Sequence, residues 1–278
     1  MRFSVSIYSF NRYIKNGLMT PVDCVAKAKE MGFEAIEIVD FVLGEDPEAT
    51  AKALRAKADE VGIEISNFAV GADLLKEGSV EKVKRMVDIA ELLGCKFLRH
   101  DVAYAPRESG GFDAVLDELA DACREITIYA EAKGIRTMTE NHGQFVQDSR
   151  RIEKLINRVD HKNFGQLIDV GNFLCADENP ALAVGRNARY CFYAHAKDFV
   201  VKDGMCVNPG EGFFSSRAGN YLKGTIIGHG NVPVLQCLKT LKKAGFDGWL
   251  AVEFEGMEDC IEGIRIGFDN LKKYTAML

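Results

Sequence analysis

The sequence has no long hydrophobic run. Although 47% of its 278 residues are hydrophobic, no stretch of 18 apolar residues occurs, so the sequence predicts no membrane span. The N-terminal stretch, MRFSVSIYSF, also lacks the extended apolar segment of a secretory signal peptide and is typical of a first β-strand. We therefore expect a cytoplasmic protein without a membrane partner.

A C-x-x-C pair is also absent, although the chain contains eight cysteines. This absence argues against a zinc site built from thiolates. Several of the cysteines lie within apolar stretches, where a free thiol behaves as a small hydrophobic side chain. The pattern predicts a reducing compartment and no disulfides.

An excess of positive charge is missing as well. The 41 acidic residues outnumber the 35 lysines and arginines, which gives a formal net charge of −6. Because proteins that bind phosphate backbones favour basic faces, we do not expect nucleic acid as a partner. The length fits either two ordinary domains or one α/β barrel of roughly 250 residues.

What the sequence does contain is a repeated unit of helix, glycine and strand. A glycine just beyond a helix adopts the left-handed conformation that ends it. Five glycines follow a stretch with helical hydrophobic spacing and precede a short apolar run, in MGF, VGI, LGC, KGI and AGF. The repeat indicates that helices and strands alternate along the chain.

Eight strand candidates alternate with eight helical patterns. The strand candidates are RFSVSIY, FEAIEIVD, IEISNFAV, CKFLRHDV, IRTMTE, FGQLID, CFYAHAKD and WLAVEFE. The helical patterns cover 22–31, 48–61, 80–93, 113–133, 149–159, 180–189, 232–244 and 259–275. Such alternation predicts parallel strands joined by crossover helices, and eight units predict a closed (β/α)₈ TIM barrel that forms one domain over residues 1–278. An open doubly wound sheet is the alternative, but no G-x-G-x-x-G loop follows the first strand.

One glycine-rich insertion, at about 200–230, interrupts the alternation between the seventh strand and its helix. Long loops in compact domains are uncommon and usually functional. Arg217 lies in this insertion, where we expect it to bind a phosphate or a sugar hydroxyl.

Ionisable side chains end four consecutive strand candidates: Glu140, Asp169, His195 and Glu253. Since active sites of these barrels lie at the carboxyl ends of the strands, we expect the four to meet. Carboxylates and imidazole together suit Mn²⁺, Mg²⁺, Co²⁺ or Zn²⁺. Without a cation, neighbouring carboxylates would repel and the pKa of at least one would rise. The sequence therefore predicts one divalent metal ion, with Glu255 as the alternative to Glu253.

The stretches TENHG, LIDVGNF, AHAKDF and AVEFEG resemble the motifs of the xylose isomerase-like TIM barrels, a superfamily that includes the sugar phosphate isomerase/epimerase family. The resemblance extends over nearly the whole chain. It implies that the four strand-end residues are the metal ligands, and that Glu140 and Glu253 are also the catalytic acid and base. It further implies substrate contacts at His142, at Lys197 of an H-x-K-D sequence, and at His229 of the GHG sequence.

Two more substrate contacts are expected from position alone. Asn67 and His100 lie at the ends of the third and fourth strand candidates. Because adjacent residues of a strand point to opposite faces, we expect His100 to point into the barrel mouth while Arg99 and Asp101 form a structural pair.

These residues imply a divalent-metal-dependent isomerase or epimerase that acts on a small sugar, sugar phosphate or polyol. A base would remove a proton next to the carbonyl and form an enediolate. Return of the proton to the same carbon gives epimerisation, and its return to the neighbouring carbon gives isomerisation. The main alternative is an inosose dehydratase-like lyase, in which protonated Lys197 or His229 helps a β-hydroxyl to leave.

Two other classes fit less well. A nuclease of the endonuclease IV type resembles a three-zinc site that needs further histidines, but the chain has only five and places Asn172 where that branch has a histidine. A non-catalytic carbohydrate-binding barrel would have no need of the complete ligand set. The sequence leaves open the sugar, its phosphorylation, the metal and a homo-oligomer, which relatives often form.

Overall fold

Eight parallel strands close into a barrel in the computed structural model, which describes residues 1–107 and 110–278. The barrel strands are β1 (Arg2–Ser6), β2 (Ala35–Val39), β3 (Glu64–Val70), β4 (Phe97–His100), β5 (Arg136–Glu140), β6 (Phe164–Asp169), β7 (Cys191–Ala196) and β11 (Trp249–Val252). Each strand pairs in parallel with its two neighbours, and β1 closes the barrel by pairing with both β2 and β11. The predicted TIM barrel is confirmed.

Helices cover the outside of the barrel. They are α1 (Asn11–Lys15), α2 (Pro21–Glu30), α3 (Pro47–Val61), α4 (Ser79–Leu93), α5 (Phe112–Glu131), α6 (Ser149–Val159), α7 (Pro180–Asn187), α8 (Val234–Lys243) and α9 (Cys260–Thr275). All but the short α1 match a predicted helical pattern to within two residues at each end. None of the helices in the described ranges combines the length and apolarity that a membrane crossing requires.

Local sequence signals explain these boundaries. Thr20 and Asp23 form a reciprocal capping box at the start of α2, and Asp148 accepts a backbone N–H at the start of α6. Gly62 ends α3 with φ near +69°, the left-handed conformation expected of a glycine C-cap. The same signals are visible in the sequence, which is why the helix ends could be predicted.

The interior of the barrel is filled by its own small apolar layer. Met138, Leu167, Tyr193, Trp249 and Ala251 are buried there and pack against one another. Because side chains alternate along a strand, the next inward position beyond Trp249 and Ala251 is Glu253. The apolar layer therefore forms the floor on which the polar residues of the barrel mouth stand.

The glycine-rich stretch after β7 is partly folded into a second sheet. β8 (Asp198–Lys202), β9 (Phe214–Ser215) and β10 (Tyr221–Thr225) form an antiparallel sheet in the order β8–β10–β9. β10 packs closely on the segment after β11, where a Cβ added at Gly224 would lie 2.5 Å from the carbonyl oxygen of Glu255. The small sheet thus supports the chain just beyond Glu253.

Candidate metal centre and substrate cavity

Four side chains converge at the mouth of the barrel, from the carboxyl ends of β5, β6, β7 and β11. One ligand atom from each of Glu140, Asp169, His195 and Glu253 lies within 4.8 Å of the ligand atoms of the other three. All four residues are at most 9% exposed. The parallel register produces this arrangement, since Asp169 at the end of β6 lies directly beside His195 of β7. The structure brings together the four residues that the sequence singled out.

The donor atoms of this group fit a cation. Asp169 Oδ2 and His195 Nδ1 are buried and make no hydrogen bond in the described part of the chain, although Lys197 Nζ lies 3.3 Å from Oδ2. Buried polar atoms without partners are costly, so they are rare in folded proteins. Asp169 Oδ1 accepts the backbone N–H groups of Gly171 and Asn172, at 2.7 and 2.9 Å, which turns Oδ2 toward the centre. A metal ion at the point of convergence would satisfy both of the unpaired atoms.

A second buried carboxylate orients the imidazole of His195. Glu37 Oε2 lies 3.0 Å from His195 Nε2 and also accepts a hydrogen bond from Asn67 Nδ2 at 2.8 Å. With Nε2–H donating to Glu37, the lone pair of Nδ1 faces the other three ligands. Metal-binding histidines are commonly held by a carboxylate on their second nitrogen in this way. Glu37 is not among the site residues predicted from the sequence, although a carboxylate inside the apolar run FEAIEIVD is a visible signal.

The ionisable side chains of this group shift one another's pKa values. Burial raises the pKa of Asp169 to about 6; the Lys197 ammonium opposes this rise and the neighbouring carboxylates add to it. Burial would also raise the pKa of Glu253, but Lys197 and His195 outweigh it and hold that pKa well below its usual value. Without a metal, therefore, Asp169 carries the unfavourable charge that a divalent cation would relieve.

Lys197 lies inside this acidic group, as the alternation of inward residues after His195 predicts. Its Nζ is 2.7 Å from Glu253 Oε2 and 3.3 Å from Asp169 Oδ2, and it donates to Asn172 Oδ1 at 3.1 Å. Burial lowers the pKa of Lys197, yet the surrounding carboxylates raise it well above its usual value. The ammonium group stays protonated and is a candidate proton donor.

The opposite side of the mouth is built around Arg99. Its Nη2 lies 2.6 Å from Glu140 Oε2 and 2.9 Å from Asp101 Oδ1, and all three side chains are buried. Asn172 Nδ2 donates to the other oxygen of Glu140 at 2.9 Å. Glu140 is therefore held from two directions. Arg99 was expected only in a structural pair with Asp101, and the structure shows that it also contacts a candidate ligand.

His142 stands beside this pair, at the position that the sequence proposed for a substrate contact. Its Nδ1 lies 2.9 Å from Asp101 Oδ1, and the hydroxyl of Tyr104 donates to Asp101 Oδ2 at 2.7 Å. The Asp101 carboxylate raises the pKa of His142 above its usual value. Asp101 thus organises one wall of the mouth through three neighbouring side chains.

A cavity of about 280 Å³ opens above the four ligands. Both aromatic and ionisable side chains line it. The lining residues are Tyr8, Val39, Asp40, Phe41, Ala69, Gly71, Arg99, Asp101, Tyr104, Glu140, His142, His195, Lys197, Glu253 and Glu255. Of the expected substrate contacts, His142 and Lys197 lie in this wall, whereas His100, Asn67, Arg217 and His229 do not.

Two of these four lie below or behind the mouth. His100 is fully buried on the outer face of β4, where Nδ1 hydrogen bonds to the carbonyl oxygen of Asp101 at 2.9 Å and burial lowers the pKa of the imidazole to about 4. Arg99, not His100, points into the barrel mouth. The expectation that His100 is the inward residue of β4 was therefore wrong. Asn67 is fully buried beside Glu37, one layer beneath the cavity. Asn67 donates a hydrogen bond to Glu37, which in turn orients His195. Its side chain does not reach the substrate cavity.

The other two lie in the loops around the mouth. Arg217 forms an ion pair with Asp148 at 3.0 Å and hydrogen bonds to the carbonyl oxygen of Gln144, so it fastens the insertion to the loop after β5. His229 is exposed at the surface. The glycines on either side of it donate their N–H groups to Asp198 Oδ2 at 2.9 Å each. The GHG sequence therefore wraps the carboxylate of Asp198 and points the imidazole away from the cavity.

Comparisons with known proteins identify the family of this chain. A family model described as a xylose isomerase-like TIM barrel matches residues 25–274. An inosose dehydratase from Clostridium beijerinckii is 28% identical over 145 residues, which cover 49% of this chain and 46% of that protein. The match thus spans about half the length of that relative.

Two further matches cover most of the chain. Rhizopine catabolism protein MocC from Rhizobium meliloti is 24% identical over 278 residues, which cover 92% of this chain and 82% of that protein. The solved structure of a D-tagatose 3-epimerase-like protein superposes with a TM-score of 0.73 at 21% identity, covering 100% of this chain and 98% of the other. At this level of identity the structural likeness shows a shared fold.

Proposed function

Because the chain belongs to the xylose isomerase-like TIM barrel family, we propose that it is a metal-dependent enzyme that removes a proton next to the carbonyl group of a small sugar or polyol. The observation that carries the proposal is the meeting of four ligand atoms, two of them buried and without a hydrogen-bond partner in the described ranges. The relatives support the substrate class, since an inosose dehydratase and a D-tagatose 3-epimerase-like protein are among them.

Glu140, Asp169, His195 and Glu253 would hold the ion. A divalent cation bound there would polarise a carbonyl oxygen and make the neighbouring C–H more acidic. Glu253 is a suitable base, because Lys197 and His195 keep it ionised at neutral pH. Glu140 comes from β5, and β6 and β7 separate that strand from β11, so the two carboxylates approach the cavity from different sides. This placement supports proton removal and return on two faces, as an epimerase or isomerase requires.

Dehydration is the second candidate, and Lys197 is the observation that favours it. Its ammonium group lies 2.7 Å from Glu253, so a base and a protonated donor stand side by side. After Glu253 removes a proton from carbon, Lys197 would protonate a departing β-hydroxyl, which leaves as water. The relatives named inosose dehydratase are consistent with this outcome.

One experiment tests the shared step and separates the two outcomes. The metal content of the purified protein is measured first. The metal-replete protein is then incubated in D₂O with an inosose, D-fructose and D-tagatose. Exchange of the proton next to the carbonyl supports the proposal; new epimers indicate epimerisation, and loss of water indicates dehydration. Absence of exchange across the panel at full metal occupancy would refute it.

Lys197→Met sharpens the distinction, because methionine keeps much of the length of lysine without its charge. For a dehydratase we expect water loss to fall by about 10²–10⁴-fold, the usual contribution of a general acid, while α-proton exchange persists. For an epimerase, exchange and epimer formation should change together. Lys202→Met, at the end of β8 and away from the cavity lining, is the matched control.

A further inference from the structure

Acidic side chains outnumber basic ones around the cavity. Asp40, Asp101 and Glu255 line its wall, in addition to the three carboxylates of the candidate metal centre. Two permanent cations, Arg99 and Lys197, stand against them. If the histidines are neutral, Arg99, Lys197 and a divalent ion together supply four positive charges against six carboxylates. The site then has a surplus of two negative charges. A surplus of one remains if His142 is protonated.

The basic side chains of this lining are already paired with carboxylates. Arg99 bridges Glu140 and Asp101 at 2.6 and 2.9 Å. Lys197 lies 2.7 Å from Glu253 and 3.5 Å from Glu255 Oε2. An anionic substrate would have to break these buried ion pairs, and the carboxylate left behind would lose its partner in a site largely removed from water.

His142 and the backbone offer no better receptor for an anion. His142 is engaged with Asp101 at 2.9 Å. The N–H of Gly71, which also lines the wall, donates to Asp40 Oδ2 at 2.9 Å. Within the described lining, the groups that commonly bind phosphate are thus committed to carboxylates of the protein.

We infer that the substrate is an uncharged keto-sugar or keto-polyol, and that the site discriminates against phosphorylated and carboxylated analogues. This inference rests on the proposed function. Like charges placed together across a recognition site disfavour binding, whereas hydroxyl groups can hydrogen bond to carboxylates and ion pairs without separating them. The volume of about 280 Å³ lies just below the usual range of ligand pockets, roughly 300–1,000 Å³, and suits a single sugar ring.

A neighbouring depression carries the basic residues Lys76, Lys82 and Arg85, but it is a separate space. Asp40, Gly71 and Tyr104 line both spaces and stand between them. The Tyr104 hydroxyl lies 3.3 Å from the position of a Cβ on Gly71. A phosphate bound in the depression would have to extend across this wall from a carbonyl at the metal centre. The three basic residues therefore lie outside the lining of the substrate cavity.

Matched substrate pairs test the inference. α-Proton exchange by the metal-replete protein is measured with D-fructose and D-fructose 6-phosphate, and with an inosose and its phosphate monoester. We expect kcat/KM to be at least about tenfold lower for the phosphorylated member of each pair, given like charges separated by a few ångströms. Equal or faster exchange of the phosphorylated member overturns the inference and leaves the proposed function standing. Absence of exchange with all four overturns both.

A charge-removing variant locates the source of the discrimination. Asp40→Asn keeps an oxygen that can accept the Gly71 N–H, but removes one negative charge from the wall. We expect Asp40→Asn to reduce the ratio of kcat/KM for the uncharged substrate to kcat/KM for the phosphorylated substrate by a factor of about three or more. Asp73 lines the basic depression but not the substrate cavity, so Asp73→Asn should leave this ratio of kcat/KM values unchanged. An unchanged ratio in Asp40→Asn, with circular dichroism like that of the parent, would contradict the electrostatic explanation.

Discussion

Replacement of Glu37 by glutamine should weaken metal binding, although Glu37 is not one of the four candidate ligands. The carboxylate accepts the Nε2–H of His195 at 3.0 Å, and both side chains are at most 1% exposed. Glutamine has nearly the same size but no charge. Its amide group can also turn its NH₂ toward Nε2, which favours the tautomer with the proton on Nδ1. That proton would occupy the position from which Nδ1 donates to a metal.

The size of the effect on metal affinity follows from the hydrogen bond that is lost. A hydrogen bond to a charged group contributes roughly 1.5–3 kcal/mol. Since about 1.4 kcal/mol corresponds to a factor of ten, its loss should raise the Kd for the metal by roughly 10–100-fold. Changes to the residues that orient metal ligands typically have effects of about this size.

The assay is titration of the metal-free protein with Mn²⁺ or Zn²⁺ in competition with a chelator of known affinity. Ser66→Ala is the matched control, because its hydroxyl hydrogen bonds to Ser4 and Tyr193 in the same buried interior, at 2.8 Å each. Urea unfolding of each variant separates a loss of fold from a loss of affinity. A Kd for Glu37→Gln within about threefold of the parent value would show that the orientation of His195 does not depend on this carboxylate.

Other perturbations give independent tests. Glu140→Gln and Glu253→Gln should each lower α-proton exchange in D₂O by about 10²–10⁴-fold, and exchange near the parent rate would exclude that residue as the base. Removal of metal by a chelator should abolish activity and lower the Tm, because a ligand of the native state stabilises it, and the metal should restore both; activity at near-zero metal content would contradict the proposed site. Gly62→Ala should destabilise the fold by about 1–2 kcal/mol in urea unfolding, since its φ is near +69°, whereas Gly62→Asn should cost less.

The helix boundaries and the four converging ligands were accessible to sequence reasoning because both depend on local signals. Helical spacing followed by a capping glycine defines each helix, and parallel strands bring their carboxyl ends to one edge. An ionisable residue that ends an apolar run can therefore be placed without knowing any distance. That logic located all four candidate ligands without knowledge of the packing, with Glu255 left as the alternative to Glu253.

The phase of β4 could not be obtained in the same way. Its four residues read FLRH, two apolar followed by two polar, so the sequence has no alternation that separates the inward from the outward face. The structure turns Phe97 toward Tyr193 inside the barrel, with ring centroids 6.4 Å apart, and this fixes Arg99 as the inward polar residue. His100 is left on the face that meets the helices. The choice depends on packing between strands that are far apart in the sequence.

The predicted substrate contact at His229 was wrong for a different reason. The position of this loop depends on a carboxylate that is distant in the sequence. Asp198 lies about thirty positions before the GHG sequence, yet its oxygens accept the backbone N–H groups of Phe199, Gly228, Gly230 and Val232. A side chain added at Gly230 would collide with Asp198. The glycines of GHG are thus explained by close approach to a buried acid, and His229 takes the outward position that remains.

Glu37 shows which further signal the sequence contains. In FEAIEIVD the two glutamates lie three residues apart, so they point to opposite faces of a strand. Ala35 lies in the interior of the barrel and Val39 lines the cavity, which makes Glu37 the inward residue and leaves Glu34 exposed. A carboxylate on the closed interior of a barrel has no solvent to stabilise its charge, so it requires a partner at the same depth on another strand. His195 and Asn67 are those partners, and a buried charge of this kind therefore predicts a polar network beneath a site before any ligand is known.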